Sequence, residues 1–298
     1  LMASRAEDLA ATLQMLVDGL GAGEGVIALK GKYHDAVDAL RAALAKYPKL
    51  RLHELENFYP AGDEQVMVYE VTGRIVPEGG IPLHVGVVVT NVETLLNVKA
   101  ATEGKAVTHT YVTITGAVQR PVTLLLPVGI TVGQAIDLAG GATTPAYRVV
   151  NGGPMMGSLI GPESLITKTT KGLIVLPEGH SLAAQLEKDL AQTLREASTA
   201  CMQCSLCTEV CPRALLGHRL KPHVLMRMAG YKSTLDPDNT PMNAYLCCGC
   251  RLCEYACVMD LQPWKWNNNL KKVLGEQGIR NTLNDRPDNV TKFREYKK

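Results

Sequence analysis

The sequence predicts a mixed α/β chain of three modules, the last of them helical and metal-holding. Three observations carry that expectation. Helical and strand-like apolar patterns alternate over residues 1–105, as they do where helices cover a parallel sheet. Residues 106–180 read as a hairpin, a short helix and further strands. Residues 181–274 hold all nine cysteines, eight of them in two runs of one form. A polar, charged tail over 275–298 reads as an extended arm or as disorder.

Composition narrows the classes. A chain of 298 residues holds two or three domains. With 46% hydrophobic and 20% charged residues it can build a core. A net charge of +2 without a basic stripe gives no reason to expect nucleic acid. Apolar runs such as 122–130 are broken by Pro127 and Gly129, so no membrane span is expected. Aromatic residues are only 5%, which makes a stacking clamp for a base hard to build. Leu1 and Met2 already lie in a helical pattern, so we expect the natural N-terminus upstream.

In the first module, Leu9, Leu13, Leu16, Val17 and Leu20 recur at helical spacing, and the glycines of 19–25 end that helix. A buried strand over 26–29, a helix over 33–47 stopped by Pro48 and a strand over 50–55 follow. A helix over 63–72 and a third buried strand over 85–90 complete the pattern. In sheets of this kind ligands sit beyond the carboxyl ends of the strands. Two loops fall at such ends, Tyr59-Pro60-Ala61-Gly62-Asp63-Glu64 and Thr90-Asn91-Val92-Glu93-Thr94. Each also reads as plain turn and capping chemistry, with Thr90 or Asn91 as an N-cap.

In the second module, alternation over 110–117 and the run 122–127 flank a turn, a hairpin signal. Thr131 caps a short helix ended by Gly140-Gly141. Strands over 147–150 and 172–176 follow. The glycine-punctuated loop 151–157 reads as a turn with a methionine plug.

The third module opens with Leu182, Leu186, Leu190 and Leu194 on one helix leading to the first cysteine. The runs are Cys201-x-x-Cys204-x-x-Cys207-x-x-x-Cys211-Pro212 and Cys247-x-x-Cys250-x-x-Cys253-x-x-x-Cys257. Thiolates two residues apart can wrap three corners of a cube, and in two-cluster ferredoxins the fourth ligand comes from the other run. The spacing therefore assigns Cys201, Cys204, Cys207 and Cys257 to one [4Fe–4S] cluster, and Cys247, Cys250, Cys253 and Cys211 to a second. Zinc is the competing reading, but zinc sites pair cysteines two and two. Clustered cysteines also read as metal-binding more readily than as disulfides. Cys248 is left over, with replacement of Cys247 as its minor alternative. A helix over 215–228, restarted or bent by Pro222, carries His218 and His223 as hydrogen-bonding or surface groups. A loop over 236–240 leads to the second run, and Trp264 and Trp266 follow it as covers for a cluster.

The two loops, with Leu95 after the second, and the cysteine runs together resemble the RnfC/PduS family of electron-transfer proteins. That family includes the cobalamin reductase of propanediol-utilisation microcompartments and is related to the flavin subunit of respiratory NADH dehydrogenase. The resemblance implies a Rossmann-like FMN-binding domain fragment over 1–105, an SLBB β-grasp module over 106–180 and a two-cluster ferredoxin-like domain over 181–274. It implies that Tyr59, Gly62, Asp63 and Glu64 border an FMN, that Thr90, Asn91 and Thr94 line its other side, and that Glu64 is catalytic where nicotinamide docks. The family's glycine-rich phosphate loop is not found before Gly19, and the glycines of 19–25 follow a helix and precede a strand, the reverse order.

The function expected is electron transfer from NADH through FMN and two [4Fe–4S] clusters to a redox protein or a corrinoid enzyme. A flavin is required because nicotinamide gives electrons in pairs and a cubane takes one. Two alternatives stand beside it. One is a non-enzymatic iron–sulfur carrier or adaptor docked through the SLBB module to a microcompartment shell protein. The other is an RnfC-like subunit of a membrane electron-transport complex. The location expected is the cytoplasm, within or attached to a microcompartment, since the short polar tail favours that relative.

Overall fold

The computed structural model describes residues 1–231 and 240–285. The tail beyond 285 and most of the loop expected over 236–240 lie outside the described residues. The chain divides into two units, one of Leu1–Ala106 with Leu215–His218 and the residues from Asn281, the other of Val107–Ala214 and Arg219–Arg280.

In the first unit, α1 (Ala6–Leu20), β1 (Gly25–Lys30), α2 (His34–Leu44), β2 (Leu50–Leu55), α3 (Glu64–Thr72) and α4 (Val92–Thr102) follow one another. Gly21 ends α1 in the left-handed conformation, its N–H donating back to Val17 and Asp18, so the glycine-rich stretch is a helix-ending loop as expected. β1 and β2 pair in parallel, from Gly25 opposite Leu50 to Lys30 opposite Leu55. Alternation sends Ile27, Leu29 and Leu50 to one face, where they pack with Leu9, Leu40, Leu95 and Leu96 of α1, α2 and α4. Burial of such side chains is the main source of stability here, at about 1.5–3 kcal/mol each.

The third strand expected over 85–90 does not form. Pro82 opens a 3-10 turn, Pro82–Val85, closed by Gly86. Arg74 Nη1 donates to the Val85 carbonyl at 2.8 Å, and the Val87 N–H turns back to Pro82. Backbone groups that a sheet needs are thus spent locally, and Val88 is 71% exposed.

The second unit opens with a five-stranded sheet. β3 (His109–Gly116), β4 (Val122–Pro127), α5 (Val132–Leu138), β5 (Tyr147–Asn151), β6 (Ser158–Ile160) and β7 (Gly172–Pro177) give the order β4-β3-β7-β5-β6. β3 and β7 are parallel and the other pairs antiparallel. The hairpin, the α5 helix and the strands over 147–150 and 172–176 are as the sequence predicts, and β6 was not expected. Thr131 and Gln134 cap α5 reciprocally, and Val132, Ala135 and Ile136 bury against Val112, Ile114 and Val175. Gly116, at φ +90°, lies where a Cβ would stand 2.2 Å from the Val175 carbonyl oxygen, so only glycine fits this crossing.

Helices complete the unit: α6 (Ser181–Glu187), α7 (Leu190–Ala200), α8 (Leu206–Glu209), α9 (Pro212–Leu215), α10 (Pro222–Tyr231), α11 (Leu252–Tyr255) and α12 (Pro263–Glu276). The single helix expected from Leu182 to Leu194 is two. Asp189 accepts from the Gln192 N–H at 2.6 Å and starts α7 afresh. The helix expected over 215–228 also breaks: α9 ends at Leu215, and Pro222 restarts the chain as α10, at the first turn that proline tolerates. Pro263 likewise opens α12, which places both tryptophans inside a helix.

Candidate functional site: two thiol-lined cavities

The two cysteine runs fold alike. In the first, Gln203 and Ser205 have φ of 57° and 65°; in the second, Gly249 and Arg251 have φ of 69° and 64°. These are the same two places in each run, between the first and second cysteine and between the second and third. Left-handed backbone at a non-glycine residue is uncommon and persists where the surroundings enforce it. Its effect is to curl each run so that successive sulfurs face one space. A helical turn then carries the third cysteine, Cys207 in α8 and Cys253 in α11.

Each curl encloses a cavity. The first is lined by Cys201, Cys204, Cys207 and, from the other run, Cys257. The second is lined by Cys247, Cys250, Cys253 and, from the first run, Cys211, with Cys248 beside them. They contain roughly 360 and 300 Å³ of space, part of it open to solvent. Among the described residues no three His, Cys, Asp or Glu side chains converge closely enough to hold a single metal ion. The thiols surround a space instead of meeting at a point, which fits a cube and not a tetrahedral zinc.

Burial and crowding act on the thiols together. Burial, with the nearby Cys257, Cys201 and Cys204, pushes the Cys207 thiol up to about 12. Burial likewise pushes Cys211 up to about 12 and Cys253 well above the ordinary range. The neighbouring Cys248 and burial raise Cys250. Thiols crowded this way hold their protons until positive charge enters, and metal ligation requires the thiolate. Donors are in place for the sulfurs. Gln203 Nε2 donates to Cys201 Sγ at 3.1 Å and the Gly249 N–H to Cys247 Sγ at 3.4 Å. Backbone N–H groups of Ala214 and Arg213 serve Cys211, and that of Leu252 serves Cys250.

The surroundings differ. The first cavity has an apolar rim of Met202, Val258 and Met259, with Cys204 exposed, and a floor of His223, Met226 and Leu261. The second is lined by Arg213, Arg251 and Trp264, and Cys211, Cys250 and Cys253 are buried. Arg251 lies 4.1 Å over the Trp264 ring and donates to the Gly157 carbonyl at 2.9 Å. The loop 151–157 therefore rests on the second cysteine run. The methionine plug expected there does not form: Met155 is half-buried and Met156 is 57% exposed, and the loop is held by its backbone. Arg251 was not singled out in the sequence; its place in the run, matching Ser205, was the available signal. Trp264 lines the second cavity, as expected of a cover, whereas Trp266 lines neither cavity and packs against Ala197, Met226 and Leu261. Both histidines are hydrogen-bonded, His218 Nε2 with the Val76 carbonyl at 2.8 Å and His223 Nδ1 with Thr208 Oγ1 at 2.7 Å.

The expected flavin residues fall on two loops of the first unit, each opening a helix. Asp63 caps α3, accepting from the Gln65 and Val66 N–H groups at 3.1 and 3.2 Å. Asn91, not Thr90, caps α4, accepting from the Glu93 N–H at 2.9 Å. Tyr59, Gly62, Glu64, Thr90, Asn91 and Thr94 are exposed and Asp63 is half-buried. A Cβ on Gly62 would meet nothing within 4 Å. These loops form a polar, open edge. Among the described residues no helix is long and apolar enough to cross a membrane.

Comparison with known proteins agrees with this geometry. Residues 1–100 match the family described as Nuo51 FMN-binding domain, residues 111–158 the SLBB domain and residues 200–262 the 4Fe-4S dicluster domain. The class so defined is that of mixed α/β chains joining an FMN-binding-type domain, an SLBB domain and a 4Fe-4S dicluster domain. The chain is similar to cobalamin reductase PduS and to a subunit of ion-translocating ferredoxin:NAD(+) oxidoreductase complexes. It is 43% identical over 277 residues to cobalamin reductase PduS of Citrobacter freundii, covering 92% of this chain and 61% of that protein. It is 31% identical over 214 residues to a component of the Na(+)-translocating ferredoxin:NAD(+) oxidoreductase complex of Acetobacterium woodii, covering 71% and 46%. An NAD+-reducing [NiFe]-hydrogenase shares the fold with a TM-score of 0.53 at 19% identity, over 96% of this chain and 53% of that one. The chain spans about 61% of the length of the first of these relatives.

Proposed function

We propose that this chain conducts electrons from NADH, by way of FMN, through two [4Fe–4S] clusters to a redox protein or corrinoid acceptor. The observation that carries the reading is the gathering of eight thiols around two cavities, three from one run and one from the other. Cys201, Cys204, Cys207 and Cys257 would hold one cluster, and Cys211, Cys247, Cys250 and Cys253 the other. FMN, when bound, supplies the conversion between paired and single electrons that such a chain needs. Tyr59, Gly62 and Asp63 would border it on one side and Thr90, Asn91 and Thr94 on the other, with the exposed Glu64 carboxylate facing the nicotinamide. Asp63 and Asn91 hold those edges still by capping α3 and α4. The modules serving these tasks are 1–105, 106–180 and 181–274, with the sheet module as the docking element. The likeness to PduS supports a corrinoid acceptor and a place in or on a microcompartment, with a shell protein as a further partner.

The test is anaerobic purification followed by absorption spectroscopy and metal analysis. The reading expects roughly eight irons per chain, flavin absorption that survives desalting, and bleaching of that absorption by NADH. Zinc, or about four irons or fewer, would overturn it. Clusters without retained flavin would favour the second reading, an iron–sulfur carrier, which the exposure of the flavin-loop residues supports.

A further inference from the structure

The second cavity holds five thiols where a cube has four ligated corners. Cys248 lines it with Cys211, Cys247, Cys250 and Cys253. It is half-buried and stands two residues from Cys250 on the lining of the same cavity. Gly249, at φ 69°, stands between them. The matching residue of the first run is Met202, 63% exposed and unable to act as a thiolate. The fifth thiol is thus a property of the second site alone.

We propose that Cys248 is a reserve ligand of the second cluster, able to take the corner held by Cys250. This rests on the reading that the second cavity holds a [4Fe–4S] cluster. The exchange moves no electron. The iron–sulfur bond to Cys250 breaks, Cys250 takes up the proton that Cys248 releases, and an iron–sulfur bond to Cys248 forms. Because both residues line one cavity two positions apart, the exchange is local. Its use is retention: a corner lost to oxidation or to a passing chelator is refilled before the cube disassembles.

Substitution separates this role from packing. Oxygen-free preparations of the unaltered chain, Cys248→Ala, Cys250→Ala, Cys253→Ala and Cys248→Ala/Cys250→Ala are compared by iron analysis and by electron paramagnetic resonance after reduction. The unaltered chain, Cys248→Ala and Cys250→Ala should each keep roughly eight irons, with one cluster signal altered in Cys250→Ala. The double variant should fall to about four. So should Cys253→Ala, whose thiol neighbours are Cys247, Cys211 and Cys207. Loss of a cluster in Cys250→Ala alone, or retention of both in the double variant, overturns the proposal. An unaltered chain with about four irons would instead overturn the ligand assignment beneath it.

Discussion

The two cysteine runs share a backbone and differ in what surrounds it. Both use left-handed residues at the same two places and both put their third cysteine in a helical turn. Around the first, Met202 and Val258 are 63% and 62% exposed, and no arginine or lysine among the described residues lines the cavity. Around the second, Arg213 and Arg251 line the wall, Lys271 donates to the Cys247 carbonyl, and Trp264 closes the side. The frame decides what can be bound. Exposure, charge and hydrogen bonds decide how readily each bound cluster accepts an electron. A solvent-facing cluster with an apolar rim suits exchange with another protein, whereas a covered one beside guanidinium groups suits storage along the path.

The largest effect should come from breaking the crossing. If each cavity depends on the last cysteine of the other run, Cys257→Ala empties the first site and Cys211→Ala the second. Each leaves about four irons. Cys201→Ala/Cys257→Ala should be no worse than either single change, because both residues serve one cube. Cys253→Ala/Cys257→Ala should lose both cubes. Iron analysis decides it: the reverse pattern between the two double variants would mean that each run ligates its own cluster.

Next in size is the charge difference. Arg251 places a cation in the wall of the second cavity, which favours the more negative reduced state. Arg251→Gln should keep all the iron and lower the potential of one cluster by tenfold or more in its reduction equilibrium, about 59 mV for one electron. Redox titration followed by electron paramagnetic resonance measures it. An unchanged potential would show that the guanidinium serves only to hold the Gly157 carbonyl and Trp264.

Parts of this were legible in the sequence and parts were not, for reasons particular residues make plain. Cysteine spacing is dictated by the size of the cube, so the gathering of Cys257 with Cys201, Cys204 and Cys207 could be read from spacing. The place of Cys248 on the wall of the second cavity could not, since ligand spacing does not say where a residue between two ligands points. The run over 85–90 has a strand's composition, yet Pro82 and the Arg74 side chain claim its neighbouring backbone groups. Leucines at every fourth position from Leu182 to Leu194 continue the helical period across Asp189, which hides the cap that divides α6 from α7. The flavin loops were legible as helix starts, because capping is local chemistry. Their ligand is a proposal that rests on family likeness together with their exposure.

A smaller effect should follow from making the first run more like the second. Gln203 donates to Cys201 Sγ and to the His223 carbonyl, both at 3.1 Å, and it occupies the place that Gly249 has in the other run. Gln203→Gly relieves a left-handed non-glycine residue and removes one neutral donor from sulfur. We expect both clusters retained and a fall in the first cluster's potential smaller than that caused by Arg251→Gln. A fall of equal size would mean that single hydrogen bonds, and not the arginine, separate the two sites.

The smallest change lies outside both cavities. Asp189 caps α7, and α7 delivers the chain to Cys201, while α12 packs behind the second run. Asp189→Ala removes the acceptor for the Gln192 N–H and should cost about 1 kcal/mol, the usual loss for such a cap. Because α7 leads directly into the first run, the loosening should reach that site first. Followed by absorbance under an iron chelator without oxygen, the variant should release iron faster in the phase assigned to the first cluster and at an unchanged rate in the second. The assignment of phases comes from Cys257→Ala and Cys211→Ala, each of which should show only one. Equal acceleration of both phases would mean that the two cysteine runs open as one body, since strain placed at one end would then reach both cavities alike.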